Sequence, residues 1–115
     1  MTNELRVVLG EYDTGWHDPV TSLARASELV RRAARHGAHL VALPEMCLSG
    51  FTMEPREHSV TLDSPHVHAL ARVAAENEVH VVAGVAAREL VDGREVFQNT
   101  ALLFGPGGEM EASYR

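Results

Sequence analysis

Short apolar runs alternate with longer amphipathic stretches along the first three quarters of the chain. The runs "LRVVLGEY" (5–12), "HLVAL" (39–43) and "VHVVAGVA" (79–86) are rich in β-branched residues and show no polar alternation. The first run predicts a buried strand, the second is typical of a strand covered on both faces in a parallel sheet, and the third predicts a further strand. The first run is followed by "DTGWHDP" and the second by Pro44, so loops are expected after both strands.

The amphipathic stretches predict two helices. Asp18 and Pro19 suit the N-cap and first helical position, and Gly37 suits the end of the first helix. Ser64-Pro65 opens a second helix that ends near Asn77. Apolar residues recur at spacings of three and four in both stretches. The order strand, helix, strand, helix, strand predicts an α/β sheet with right-handed crossovers.

The pattern changes beyond residue 86. The segment "ARELVDGREVFQNTALLFGPGGEMEASYR" has Asp92-Gly93 between two strand-like runs, and Gly-Pro-Gly-Gly (105–108) before a third. These turn sequences predict an antiparallel meander, and hence a mixed sheet. The glycine-rich turn lacks the Lys-Ser/Thr ending of a phosphate-binding loop and does not precede a helix, so we interpret it as a plain turn.

Composition restricts the kind of protein. The 115 residues suit one domain, 1–115, and 45% apolar with 23% charged residues is typical of globular proteins. A net charge of −6 gives no basic surface, which argues against nucleic acid or anionic membrane as partners. The single cysteine excludes an internal disulfide, and "MTNELRVVLG" does not resemble a secretory leader, so a cytoplasmic location is expected. All ten basic residues are arginine.

The segment "LVALPEMCLSGFTMEP" (40–55) places a carboxylate directly behind a predicted strand. Open α/β sheets bind ligands at the carboxyl ends of their strands, and Pro44 would present Glu45 on a sharp exit. Its apolar neighbours would disfavour the charged carboxylate, as a general base requires: Leu43, Met46, Leu48 and Phe51. A partly exposed loop glutamate or a helix-capping acid is the alternative, and position alone does not decide between them.

The same segment resembles the glutamate motif of the nitrilase superfamily of carbon-nitrogen hydrolases. That motif is a strand, Pro-Glu-Met, three variable residues, Gly and an aromatic, and it is matched by Pro44, Glu45, Met46, Gly50 and Phe51. The segments "VVLGEYDTGWHDPVTSLARASELV", "VHVVAGVAAREL" and "FQNTALLFGPGGEMEASYR" are similar to the family in the same order. The resemblance therefore covers essentially the whole chain, and "SGFTMEP" looks most like the omega-amidase branch.

The resemblance implies the N-terminal part of a four-layer α-β-β-α sandwich with a mixed sheet. It implies a glutamate, lysine and cysteine site that cleaves the C–N bond of a small-molecule amide through a thioester, without a metal or organic cofactor. Glu45 takes the role of general base, and Phe51 that of a wall of the substrate pocket or, alternatively, of core filling. The full-length enzyme is expected to be a homo-oligomer.

The chain departs from the family pattern because it contains no lysine. The catalytic lysine is expected just after "ASYR" and the cysteine later still, so the chain is expected to be truncated before both and inactive alone. The inner face of its sheet would be uncovered, which predicts aggregation or pairing with another chain. The alternative function is a non-catalytic remnant or split-protein half that binds a partner.

Other chemistry-bearing residues have simpler interpretations. Cys47 is two residues from Glu45 and is expected to be a small buried hydrophobe rather than the nucleophile. His66 and His68 should point to different sides of a helix, which argues against a shared ion. Asn99-Thr100 should serve the strand pair. The remaining histidines are scattered without ligand spacing and are expected to be solvated or in the core: His17, His36, His39, His58 and His80.

Overall fold

The computed structural model describes residues 3–115, which form one five-stranded mixed sheet with three helices. The strands lie side by side in chain order: β1 (Val7–Leu9), β2 (Leu40–Ala42), β3 (His80–Val91), β4 (Arg94–Phe104) and β5 (Met110–Tyr114). The helices are α1 (Pro19–Arg35), α2 (Pro55–His58) and α3 (Pro65–Asn77). Strands β1 to β3 pair in parallel and β3 to β5 pair antiparallel, which confirms the α/β class and the mixed sheet.

The two long helices begin where the sequence predicts. Asp18 Oδ1 accepts a hydrogen bond from the backbone N–H of Thr21 at 3.1 Å, and Ser64 Oγ accepts one from Val67 at 3.3 Å. Each helix has proline in its first turn, where the missing N–H has no intrahelical partner to lose. Gly37 follows α1 with φ of +87°, the left-handed conformation that glycine adopts without strain. Local capping chemistry therefore fixes these boundaries.

The strands differ from the prediction in length. Strand β1 occupies only three residues of the run 5–12, whereas β3 continues past residue 86 to Val91. The extension exists because β3 and β4 form one long hairpin closed by Asp92-Gly93, whose φ angles of 50° and 78° suit a two-residue hairpin turn. Helix α2 was not predicted, since four residues carry no hydrophobic periodicity. The glycine-rich segment 105–108 is the predicted turn, with the Gly105 N–H donating to the Glu109 carbonyl.

Helices α1 and α3 cover one face of the sheet. Val41, Val81, Ala83 and Val85 are fully buried there, together with side chains from both helices. The opposite face carries the alternate residues in register, which are apolar except for one histidine: Val7, Leu9, Leu40, Ala42, His80 and Val82. We call this the open face, because Leu9 is 79% and Val7 46% exposed.

The exposure of the open face bears on two predictions, the burial of the strands and the uncovered apolar face of the sheet. Within residues 3–115, β1 is not the buried strand that its apolar run suggested, since Val7 and Leu9 are exposed. Strand β2 is not fully covered on both faces either, because Leu40 and Ala42 are only half-buried. The expected uncovered apolar face is present. None of the helices formed by these residues is long and apolar enough to cross a lipid bilayer.

Candidate active site

Glu45 lies in a loop that runs from the end of β2 along β3. The Leu43 N–H donates to the Val82 carbonyl at 2.8 Å, and the Cys47 N–H donates to the Gly84 carbonyl at 2.8 Å. Glu45 is thus held between two backbone hydrogen bonds to a central strand. The loop is an extension of the sheet rather than a free excursion, so the position of the Glu45 backbone is well defined.

A tight turn follows Glu45 and explains the glycine of the motif. The carbonyl of Met46 accepts hydrogen bonds from the N–H groups of Ser49 and Gly50 at 3.2 and 2.9 Å. Met46 itself has φ of 49°, which is uncommon for a non-glycine residue, and Gly50 has φ of +75°. The chain reverses within these residues because Gly50 can adopt the left-handed conformation.

Gly84 on β3 lets the Glu45 backbone approach the sheet. A Cβ atom at residue 84 would lie 2.7 Å from the Glu45 Cα and 3.2 Å from the Pro44 carbonyl oxygen. Gly84 alternates with the core residues Ala83 and Val85, so this contact lies on the open face. The glycine in "VHVVAGVA" is therefore the residue that seats Glu45 against the strand.

Tyr12 anchors the loop from a second direction. Its hydroxyl donates to the Cys47 carbonyl at 2.9 Å. Burial, with the nearby Cys47 as a smaller cause, raises the pKa of Tyr12 far above its ordinary 10.0. The hydroxyl therefore stays protonated and keeps its donor role. Sequence reasoning missed this contact, because Tyr12 and Cys47 are far apart along the chain.

Cys47 is a buried hydrophobe, as predicted. It has no solvent-exposed surface and belongs to the hydrophobic core. Burial raises the pKa of its thiol from 9.0 to about 12. A thiol that does not ionise near neutral pH is a poor nucleophile. Cys47 is therefore unsuited to be the partner of Glu45.

The buried thiol should react with Ellman's reagent only after unfolding. The folded pKa of Cys47 lies above its unfolded value, so its contribution to stability is complete below pH 9.0 and falls as the pH rises toward about 12. We expect a lower urea midpoint at about pH 10.5 than at about pH 8, with a smaller difference in Cys47→Ala. Rapid labelling of the folded protein at neutral pH would contradict this assignment.

Glu45 is exposed to solvent. For residues 3–115, the prediction that apolar side chains surround Glu45 is wrong. Leu43 and Leu48 are buried in the core, and Phe51 is 67% exposed. Within residues 3–115 Phe51 is therefore not core filling, and its role as a wall of the substrate pocket stays a prediction. Of the two alternatives for Glu45, the helix-capping acid is excluded, because Glu54 is the N-cap of the next helix. Within residues 3–115 Glu45 is an exposed loop glutamate, so its role as general base stays a prediction.

A small cavity of about 190 Å³ lies beside the loop. It is lined by residues of the Glu45 loop, of α2 and of the β3/β4 hairpin: Met46, Thr52, Pro55, Ala86, Ala87, Phe97, Gln98 and Asn99. Asn99 pairs with Ala86 and the buried Thr100 with Val85, so both serve the strand pair as predicted. The cavity gives the Glu45 loop a concave neighbour on the hairpin.

The structure brings together three residues that sequence reasoning kept apart. One potential ligand atom from each of His17, Glu54 and His58 lies within 4.8 Å of the others, so the interpretation of His17 and His58 as scattered is wrong. Glu54 and His58 are four residues apart around α2, a signal that the sequence contained. Only the tertiary structure brings His17 to them. His68 is exposed and His66 half-buried on α3, consistent with their predicted divergence.

Comparison with known proteins places the chain in a family. The family model described as carbon-nitrogen hydrolase matches residues 8–115. The chain therefore belongs to the carbon-nitrogen hydrolase family. An aliphatic nitrilase of Rhodococcus rhodochrous is 28% identical over 130 residues, covering 99% of this chain and 34% of the relative. An omega-amidase of Mus musculus is 33% identical over 96 residues, covering 82% and 33%.

Solved structures share the fold. A CN-hydrolase superfamily protein of Xanthomonas campestris, with an arsenic adduct in its active site, has a TM-score of 0.82 at 27% identity, covering 96% of this chain and 40% of that one. A mutant of the Nesterenkonia AN1 amidase, of the nitrilase superfamily, has a TM-score of 0.85 at 25% identity, covering 96% and 42%. The chain spans about a third of the length of the curated relatives.

Proposed function

We propose that this chain contributes the general base, Glu45, to a hydrolase that cleaves the C–N bond of a small linear amide through a cysteine thioester. The observation that carries the proposal is the seating of Glu45 on the open face, by backbone hydrogen bonds to β3 and the close approach at Gly84. Membership of the carbon-nitrogen hydrolase family supports this role for a carboxylate at the end of a strand.

The proposed chemistry uses Glu45 twice. Its carboxylate accepts the proton of a thiol, and the resulting thiolate attacks the amide carbon. An ammonium group stabilises the tetrahedral oxyanion, which collapses to a thioester as Glu45 returns the proton to the departing nitrogen. Glu45 then takes a proton from the water that hydrolyses the thioester, releasing the acid and the free thiol. Protons balance over the two half-reactions.

The thiol and the ammonium group come from outside these 115 residues. The chain has no lysine, and its only cysteine is buried with a raised pKa. We infer that further polypeptide, in the same chain or another, lies across the open face and carries both groups. The exposed Leu9 and Val7 on that face support this arrangement, since burying them removes apolar surface from water.

A second candidate function rests on the same face. The exposed apolar strands would also suit a split-protein half that binds a partner without catalysis. The protein at its full encoded length separates the two functions when incubated with dicarboxylate monoamides and with simple aliphatic amides. Ammonia release and a thioester detected by mass spectrometry support the hydrolase. Absent turnover, with the chain isolated in a stable complex with another chain, favours the binding function.

A further inference from the structure

His17, Glu54 and His58 face one another beside the loop that carries Phe51. His17 Nδ1 lies 3.8 Å and His58 Nε2 lies 3.7 Å from the same oxygen, Oε2 of Glu54. Two segments meet here. The loop before α1 carries His17, and α2 has Glu54 at its N-cap and His58 as its last residue. Glu54 and His58 come together through one helical turn, whereas His17 is brought in by its N–H donating to the Ser49 carbonyl at 3.0 Å.

These spacings suit a bound ion better than direct hydrogen bonds. Both nitrogen to oxygen distances exceed the ~3.2 Å limit of an ordinary N–H···O bond. Ligand bonds of ~2.0–2.2 Å around tetrahedral Zn²⁺ place neighbouring ligand atoms ~3.4 Å apart. The two nitrogen to oxygen distances therefore exceed the spacing of a zinc centre by only a few tenths of an ångström, and the two ligand nitrogens lie within 4.8 Å of each other. Two imidazoles and a carboxylate are an ordinary ligand set for this ion.

Thr52 supports the orientation of His17. The Thr52 hydroxyl is 2.9 Å from His17 Nε2, and it also accepts the N–H of Glu54 at 3.0 Å. When Nε2–H donates to this hydroxyl, the other ring nitrogen, Nδ1, presents its lone pair toward Glu54. A hydrogen bond of this kind from the second nitrogen is the usual support of a histidine that ligates a metal.

A cavity of about 290 Å³ adjoins the cluster and contains an unpartnered polar group. His17, His58 and Ser59 are among its lining residues. Ser59 is only 7% exposed, and among residues 3–115 its Oγ has no hydrogen-bond partner. A buried hydroxyl without a partner is a position that a ligand or an ordered water in the cavity would satisfy. The cavity thus offers room for a solvent molecule beside the two imidazoles.

The geometry points to a divalent transition-metal site, of Zn²⁺ type, formed by His17 Nδ1, His58 Nε2 and the Glu54 carboxylate. The two imidazoles lie stacked with their centroids 3.5 Å apart and their planes at 12°. Because each nitrogen lone pair lies in its ring plane, the ion requires one ring to tilt out of the stack. The ion would fasten the loop before α1 to α2. This inference does not depend on the proposed hydrolase activity.

The test titrates the metal-free protein, at its full encoded length, with Zn²⁺ by calorimetry and with Co²⁺ by visible absorption. We expect one equivalent to bind, with the strong absorption bands of tetrahedral Co²⁺. Glu54→Gln should raise the dissociation constant at least ~10-fold. Because the Glu54 side chain is 63% exposed, the fold should be preserved. Thr52→Val should weaken binding by ~10–100-fold, whereas Thr52→Ser keeps the hydroxyl and should retain affinity.

The matched control is His80→Asn. His80 Nε2 lies 3.0 Å from Glu111 Oε1, so this variant removes an imidazole beside a carboxylate outside the cluster. It should leave the dissociation constant unchanged. Absence of binding to the parent protein, equal affinity in Glu54→Gln, or loss of binding in His80→Asn would each overturn the proposal. An inactive hydrolase that still binds the ion would leave it intact.

Discussion

Glu45→Gln is expected to lower kcat of the full-length enzyme by ~10²–10⁴-fold, the contribution typical of a general base. The amide oxygen cannot accept the thiol proton at neutral pH, so the attacking thiolate no longer forms. Glu45 is exposed, and the loop is held by backbone hydrogen bonds that the substitution does not touch. Circular dichroism and the melting temperature should therefore match the parent protein.

Glu76→Gln provides the matched control for this variant. Glu76 is an exposed carboxylate on α3, and the same change of charge and shape there should leave kcat within twofold. The measurement is ammonia release under saturating amide. If Glu45→Gln turned over substrate as fast as Glu76→Gln, Glu45 could not be the proton acceptor.

Gly84→Ala is expected to displace Glu45 without touching its side chain. The new Cβ would lie 2.7 Å from the Glu45 Cα, and because the obstacle is backbone, the loop or the strand has to shift. Overpacking of this kind costs ~1–3 kcal/mol in the free energy of unfolding. A displacement of ~1 Å in a catalytic group can cost ~100-fold in rate. We therefore expect losses in both the urea midpoint and kcat.

Gly107→Ala separates this effect from glycine substitution in general. There the added Cβ meets only the end of the flexible Glu109 side chain, which can move into solvent. This variant should change the urea midpoint little and kcat not at all. A Gly84→Ala protein with the parent's midpoint and kcat would show that the close approach does not determine the position of Glu45.

Local sequence signals predicted most of the fold. The first residues of α1 and α3 follow from Asp18, Pro19 and Ser64. The interactions of these residues at the helix starts involve only neighbouring residues. The hairpin turn at Asp92-Gly93 follows from the ease with which these residues adopt positive φ. Such signals operate over a few residues, so a single sequence contains them completely.

The surroundings of the candidate site depend on tertiary contacts and could not be predicted in the same way. Apolar neighbours in sequence suggested an enclosed Glu45, but Leu43 and Leu48 turn into the core on the other side of the loop. The apolar run of β1 indicated a buried strand, but within residues 3–115 Val7 and Leu9 are exposed. The seating of Glu45 against Gly84 was likewise invisible, because it joins separate segments.

The cluster of His17, Glu54 and His58 likewise depends on tertiary contacts that the sequence does not display. Glu54 and His58 carry a helical spacing that the sequence displays, yet the helix between them is too short to be recognised from periodicity. His17 joins them through a loop contact to Ser49 and through Thr52. A histidine that is isolated in sequence can therefore be part of a three-residue cluster in the folded chain.

Glu45, in the loop after β2, is expected to deprotonate a thiol that lies outside these residues. A crystal structure of the protein at its full encoded length, with whatever chain covers the open face, measures the distance from the Glu45 carboxylate to the nearest cysteine Sγ. We expect an oxygen to sulfur distance within ~4 Å, allowing for loose hydrogen bonds in an unliganded site. An open face covered by polypeptide that places no thiol near Glu45 would contradict the account.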